Sequence, residues 1–170
     1  MRKWALALAL LTALVVVDQA VKEWVRMAVP PHSAAVLIPG FIDLTHVENP
    51  GVSFSFMGSV AAEIRVPVLV GVTLVAIALL GSYWFRRRRE MSAWMDVGMN
   101  LILSGAVGNL IDRLLRGTVT DFLHFRIASL SLFVNNVADI FISLGVVAYA
   151  IGAYWPRMTH HPAKEDAPAR

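Results

Sequence analysis

The chain has no cysteine. That excludes disulfide cross-links, thiol nucleophiles and cysteine-ligated metals, and leaves the compartment open. Charge is sparse as well: Asp, Glu, Lys and Arg make up 16% of 170 residues, against roughly 25% in an average soluble domain. The histidines form no metal-binding pattern, because His32, His46 and His124 are scattered, His160 and His161 lie near the end, and no His-Glu-x-x-His occurs. A serine or threonine nucleophile needs a base beside it, and no convincing pair stands out, although His124 is near Asp121 in sequence. Gly105 and Gly108 lie in an apolar stretch without the Gly-Lys-Ser/Thr of a phosphate loop. Neither a metal nor another cofactor is expected.

Apolar residues fill the space that charge leaves. They make up 57% of the chain, and mean hydropathy is +0.62. They come in long blocks, so the chain reads as one compact membrane domain over residues 1–156, followed by a disordered polar tail, 157–170. Four spans are expected, at about 4–26, 64–85, 94–115 and 130–155. The first resembles a secretion signal, with Arg2 and Lys3 before a short apolar core. However, no clear Ala-x-Ala cleavage site follows, and Asp18, Lys22 and Arg26 recur every four residues on one face. We therefore read it as a retained helix. Residues 28–60 differ: Pro30-Pro31, Pro39-Gly40 and Asn49-Pro50-Gly51 punctuate short strands at 35–38 and 41–47, and Val52 to Phe56 alternates with period two. A small β element outside the membrane is predicted.

The net charge of +3 and pI of about 9.7 come from basic residues that flank the spans. Topology explains them better than nucleic acid does. Four spans put both termini on one side with Arg86 to Arg89, and nine of the fifteen basic residues lie there. The excess of positive charge on the inner side predicts cytoplasmic termini. The β element and the 116–130 connection, with Asp121, then lie outside.

Two acidic residues stand out at that outer edge. Asp121 follows the third span and Asp139 lies near the start of the fourth, about two helical turns in on the expected boundaries. A charge at the centre of a spanning helix costs roughly 2.5–3.5 kcal/mol on insertion scales, so such groups need a partner or a task. Two carboxylates with overlapping proton equilibria can form a peptidase dyad. Asp121 alone also fits a solvated turn. Asn135 and Asn136 precede Asp139 by four and three residues, so both can flank its carboxylate on one helical face; they can orient an acid or simply bond between helices. Gly105, Asn109 and Asp112 share a face of the third span, as a small-residue packing surface with polar glue or as part of a site. Asp112 and Arg113 can pair at the interface. Asn49-Pro50-Gly51 can be an ordinary turn or can aim the Asn49 amide at a bound backbone, and Asp18 with Lys22 can be a plain ion pair or can position neighbouring groups.

Five motifs in order resemble the lipoprotein signal peptidase (signal peptidase II) family across about residues 14–150. They are Val17-Asp-Gln-Ala-Val-Lys22, Glu48-Asn-Pro-Gly-Val-Ser-Phe-Ser-Phe56, Gly105-Ala-Val-Gly-Asn-Leu-Ile-Asp-Arg113, Gly117-Thr-Val-Thr-Asp-Phe122 and Asn136-Val-Ala-Asp139. The resemblance implies an all-α membrane protein with four transmembrane helices and a small extracytoplasmic β-cradle. It implies an aspartic endopeptidase of the bacterial inner membrane, a monomer with its site near the outer leaflet. Its partners would be membrane lipids and lipid-modified prolipoproteins, cut on the amino side of a diacylglyceryl-modified cysteine, with no nucleic acid. Asp121 and Asp139 fall on the catalytic positions. Asn49, Gly51, Asn109, Arg113 and Asn136 fall on pocket-lining positions, and Asp18, Lys22, Gly105 and Asp112 on supporting polar ones. Three places depart from the family: Asn135 stands where phenylalanine is usual, Ile140 where serine is frequent, and Val52-Ser53 replaces Ala-Ala. Until function is tested, two other classes remain: a small ion-coupled transporter using Asp112, Asp121 and Asp139, and a structural protein with aspartates as helix glue. The sequence shows no inverted repeat or paired broken helices of the kind many transporters display.

Overall fold

The structure, a computed structural model, describes residues 2–51 and 60–159. Four long helices and one sheet make up these residues: α1 (Arg2–Ala28), β1 (Ala34–Ile38), β2 (Ile42–Asn49), α2 (Ala62–Arg87), α3 (Ala93–Arg116), β3 (Val119–Ile127), β4 (Leu130–Asn135) and α4 (Val137–Thr159). The expected strand at Val52 to Phe56 and the tail beyond Thr159 lie outside the described residues.

An α-helix rises about 1.5 Å per residue, so some 20 apolar residues cross a bilayer. Among the described residues α1, α2 and α4 are long and apolar enough to do so. The chain is a membrane protein. The apolar window of α2 has no buried residue, as suits a helix facing lipid. The 24-residue α3 is long enough to span but differs in character, because it buries Asn100, Ser104, Asn109 and Asp112 against its neighbours. It packs on α1, α2 and α4 and forms the centre of the bundle.

Small residues bring α3 and α4 together. A Cβ on Gly98 would meet the Gly145 carbonyl oxygen at 2.6 Å, and one on Gly105 would overlap the Ala138 carbonyl. Both obstacles are backbone, which cannot swing aside. Gly105→Val is therefore expected to separate the helices, at an overpacking cost of about 1–3 kcal/mol or more. Thermal unfolding in detergent should show a clear drop in midpoint, and an unchanged midpoint would contradict this packing. Ser92 caps α3 by accepting the Met95 N–H at 3.3 Å, and Gly117, at φ 74°, ends it with an N–H donated to the Arg113 carbonyl.

The sheet is antiparallel in the order β1-β2-β3-β4. The two strands predicted before α2 are present, with β2 running on to Asn49. Two expectations need correction. The 116–130 connection is strand β3, so Asp121 sits on a strand and not in a loop. Residues 130–135, expected as the start of the fourth span, form β4 and pair back on β3 through a turn with Ala128 at φ 53°. Leu-Ser-Leu-Phe-Val-Asn is apolar enough to merge with the next helix in a hydropathy reading, but a sheet partner captures it. Helix α4 therefore begins at Val137, and Asp139 lies in its first turn.

Candidate active site

Side chains alternate across a strand. On β3, Val119 and Asp121 face one way and Thr120 and Phe122 the other. Phe122 packs with Val25 and Val29 at the end of α1, so this back face is anchored on α1 and Asp121 is turned toward α4. Asp121 is buried, at 2% exposed. Both its oxygens are held by asparagine amides: Asn136 Nδ2 donates to Oδ1 at 2.6 Å and Asn49 Nδ2 to Oδ2 at 2.7 Å. Asn49 is fixed in turn, because its Oδ1 accepts the Gly51 N–H at 2.9 Å. Only glycine suits position 51, where φ is 93° and a Cβ would overlap the Leu69 side chain.

Asp139 is the third residue of α4 and makes a reciprocal cap with Asn136. Its N–H donates to Asn136 Oδ1 at 3.1 Å, and the Asn136 N–H donates to its Oδ2 at 3.4 Å. Asn109 Nδ2 donates to Asp139 Oδ1 at 2.8 Å. Asn136 therefore touches both carboxylates, through its amide to Asp121 and its backbone to Asp139.

A buried charge cluster supports these contacts. Lys22 Nζ lies 2.9 Å from Asp18 and 3.0 Å from Asp112, and donates to Asn109 Oδ1 at 2.9 Å. This last bond determines which way the Asn109 amide points, and so directs its Nδ2 to Asp139. Asp18 also accepts the Ala138 N–H at 2.9 Å, tying α1 to the start of α4. Arg26 pairs with the other oxygen of Asp112 at 2.9 Å, giving two cations and two anions.

The two aspartates face a cavity of about 150 Å³ lined by Asn49, Gly51, Asn109, Arg113, Val119, Asp121, Val134, Asn135 and Asp139. Arg113 Nε is buried there without a hydrogen-bond partner. Burial pushes the Asp121 carboxyl up to about 6; the amides of Asn49 and Asn136 oppose that shift, the negative charge of Asp139 adds to it and Lys22 opposes it. Among the described residues no three His, Asp or Glu side chains converge as a metal-ligand set.

Every residue singled out in the sequence has a place here. Asp121, Asp139, Asn49, Gly51, Asn109 and Arg113 line the cavity, and Asn136 bridges the two carboxylates. Asp18, Lys22 and Asp112 form the charge cluster, and Gly105 seats α3 against Ala138. Asn135 departs from expectation: it ends β4 and lines the cavity instead of sharing a helical face with Asp139. The reading also missed Gln19, whose amide donates to Asp18 and to the Gly108 carbonyl, and Thr120, which bonds Arg26 and Glu48.

A buried Asp121 and a half-buried Asp139 facing one polar cavity, among apolar helices, define a membrane protein with a polar site built around two carboxylates. The fold is shared with two solved bacterial membrane enzymes. One matches at a TM-score of 0.76 over 98% of this chain and 95% of its own, with 23% identity. The other matches at 0.73 over 88% and 92%, with 24% identity. The family model for signal peptidase (SPase) II matches residues 10–155. The lipoprotein signal peptidase of Maridesulfovibrio salexigens is 36% identical over 91% of this chain and 98% of its own length. That of Streptococcus pneumoniae is 32% identical over 89% and 94%. The chain belongs to the signal peptidase II family.

Proposed function

We propose that the protein is an aspartic endopeptidase that removes signal peptides from diacylglyceryl-modified prolipoproteins, with Asp121 and Asp139 as its catalytic pair. The observation that carries this reading is the convergence of both carboxylates on one small polar cavity, each held by asparagine amides. One carboxylate, ionised, takes a proton from a water as its oxygen attacks the scissile carbonyl. The other, protonated, gives its proton to the carbonyl oxygen. On collapse the carbon–nitrogen bond breaks, the first carboxyl protonates the leaving nitrogen, and the second recovers its proton from the intermediate. The shared proton belongs to the pair as a unit. The unpartnered Arg113 Nε supplies a donor for a substrate carbonyl.

The reading extends to topology. With α3 as the third of four spans, both termini and the four-arginine turn face the cytoplasm of a bacterial inner membrane, and the sheet and dyad lie at the outer leaflet. A substrate can then keep its acyl chains in lipid while its peptide bond reaches the cavity. A monomer holds all of these groups.

The test uses purified protein in lipid bilayers and a fluorescent diacylglyceryl peptide. Cleavage on the amino side of the lipidated cysteine is expected, with little turnover of the same peptide without lipid. Proton-coupled flux without cleavage would instead favour the transporter, and neither activity would leave a structural role.

Asp121 also predicts a pH effect. Its folded value of about 6 lies above the ordinary 3.8, so between these pH values the folded state binds more protons than the unfolded. The stability this gives is complete below about pH 4 and is lost as pH rises through 6, an effect on the order of 3 kcal/mol. Thermal midpoints measured from pH 4 to 7 should fall more steeply in the wild type than in Asp121→Asn. Equal slopes would contradict the buried, raised carboxyl.

A further inference from the structure

Behind the dyad, on the face of the sheet turned away from the cavity, lies a histidine that the mechanism does not use. His46 is buried, at 7% exposed. Its Nδ1 is 2.9 Å from the Val29 carbonyl oxygen and its Nε2 is 3.1 Å from Glu48 Oε1. The carbonyl can only accept. Glu48 already takes the Thr118 hydroxyl on Oε2 at 2.6 Å and the Thr120 hydroxyl on Oε1 at 2.9 Å. The Thr120 oxygen itself accepts from Arg26 Nε at 3.0 Å, so its own hydrogen points to Glu48. Burial raises the Glu48 carboxyl, but the hydrogen bonds from Thr118, His46 and Thr120 outweigh it and hold the group below its ordinary range. Glu48 is an anion. A neutral imidazole has one N–H, and would turn one ring nitrogen's lone pair onto an oxygen lone pair. The ring satisfies both neighbours only as an imidazolium.

The surroundings leave Glu48 as the ionisable partner of the ring. Arg26, on α1, is occupied by Glu23, Asp112 and Thr120. Lys22 is occupied by Asp18, Asp112 and Asn109. Asp43 gathers Arg126 and His124 toward the other end of the β2–β3 pair. His32 donates its backbone N–H to the His46 carbonyl at 3.0 Å.

The position matters because the β2–β3 ladder shifts register between Leu44 and Val47, so His46 lies where strand pairing is interrupted. Just beyond, Glu48 pairs with Thr120 and Val47 with Asp121. The residues following Glu48 and Thr120 are Asn49 and Asp121, which point to the opposite face and bond to each other. We propose that His46, as an imidazolium, is a positioning residue of the active site. It fastens the end of α1 to Glu48 across the irregular stretch of β2, and so holds the register that sets the Asn49 amide against the Asp121 carboxylate.

The activity readout rests on the peptidase reading; the charge state of the ring does not. Nitrogen-15 spectra of histidine-labelled protein in micelles, assigned with His46→Gln, should show both His46 nitrogens protonated at pH 7. In Glu48→Gln the ring should become neutral with its proton on Nδ1. His46→Gln should lower kcat for the diacylglyceryl peptide about tenfold at unchanged KM. If His46→Gln does not accumulate, Glu48→Gln carries the same test, with ring state and kcat changing together. A neutral His46 in an active wild type, or wild-type kcat with a neutral ring in Glu48→Gln, would overturn the proposal. Absence of cleavage by the wild type would instead count against the peptidase reading.

Discussion

Asp139→Asn is expected to lower turnover of a lipid-modified precursor by at least about a thousandfold, and Asp121→Asn to do the same. General acid–base catalysis contributes roughly 10²–10⁴-fold per group, and among the described residues that line the cavity neither carboxylate has a substitute. The asparagine side chain keeps the size of the aspartate and removes its charge. In Asp139→Asn the helix cap survives in part, since the residue 139 N–H still reaches Asn136 Oδ1. Folding is therefore expected to hold while chemistry stops. The check is single-turnover cleavage alongside membrane yield and thermal midpoint. Substantial turnover in either variant would remove that aspartate from the dyad, whereas loss of protein in both would point to the structural-glue reading.

Lys22→Met is expected to have the largest effect on stability. Lys22 is fully buried and touches Asp18, Asp112 and Asn109. Removing one partner of a buried pair costs about 3–5 kcal/mol, because the other charge is left uncompensated. Asp112 keeps Arg26, so the stranded charge is Asp18, which also holds the start of α4 through the Ala138 N–H. The Asn109 amide loses the donor that orients it, so activity falls with stability. A sharp drop in thermal midpoint and membrane yield is expected. Asp18→Asn in the same chain should recover part of the loss, since it removes the uncompensated charge. If Lys22→Met alone melted like the wild type, the cluster would not be the support for the site that its geometry describes.

The helices were legible in the sequence because their signal is local: long apolar runs bounded by charge give α1, α2 and α3 nearly to the residue. The sheet was half legible. Pro30-Pro31 and Pro39-Gly40 frame β1 and the start of β2, whereas β3 reads as a plain connection between spans, and β4 adjoins the fourth span, so its apolar residues read as part of that membrane segment. That error moved Asp139 two turns along α4 and misplaced Asn135. The acidic pair and its amides were visible as polar residues where polar residues are costly. Their partners were not, because the bonds from Asn49 to Asp121, from Asn109 to Asp139 and from Asp18 to Ala138 span 72, 30 and 120 residues. The place of His46 is not legible in the sequence, since it depends on the Val29 carbonyl, 17 residues away.

The most direct test of the central claim, that Asp121 and Asp139 act as one catalytic unit, is the single-turnover rate of the Asp121→Asn/Asp139→Asn double variant measured beside both single variants. Groups that work as a unit are strongly non-additive, so that losing the second costs little once the first has gone. The double variant is predicted to be as slow as the slower single variant and no slower. A rate lower still by the full factor of the second substitution would mean that the two carboxylates act independently, and would contradict the account.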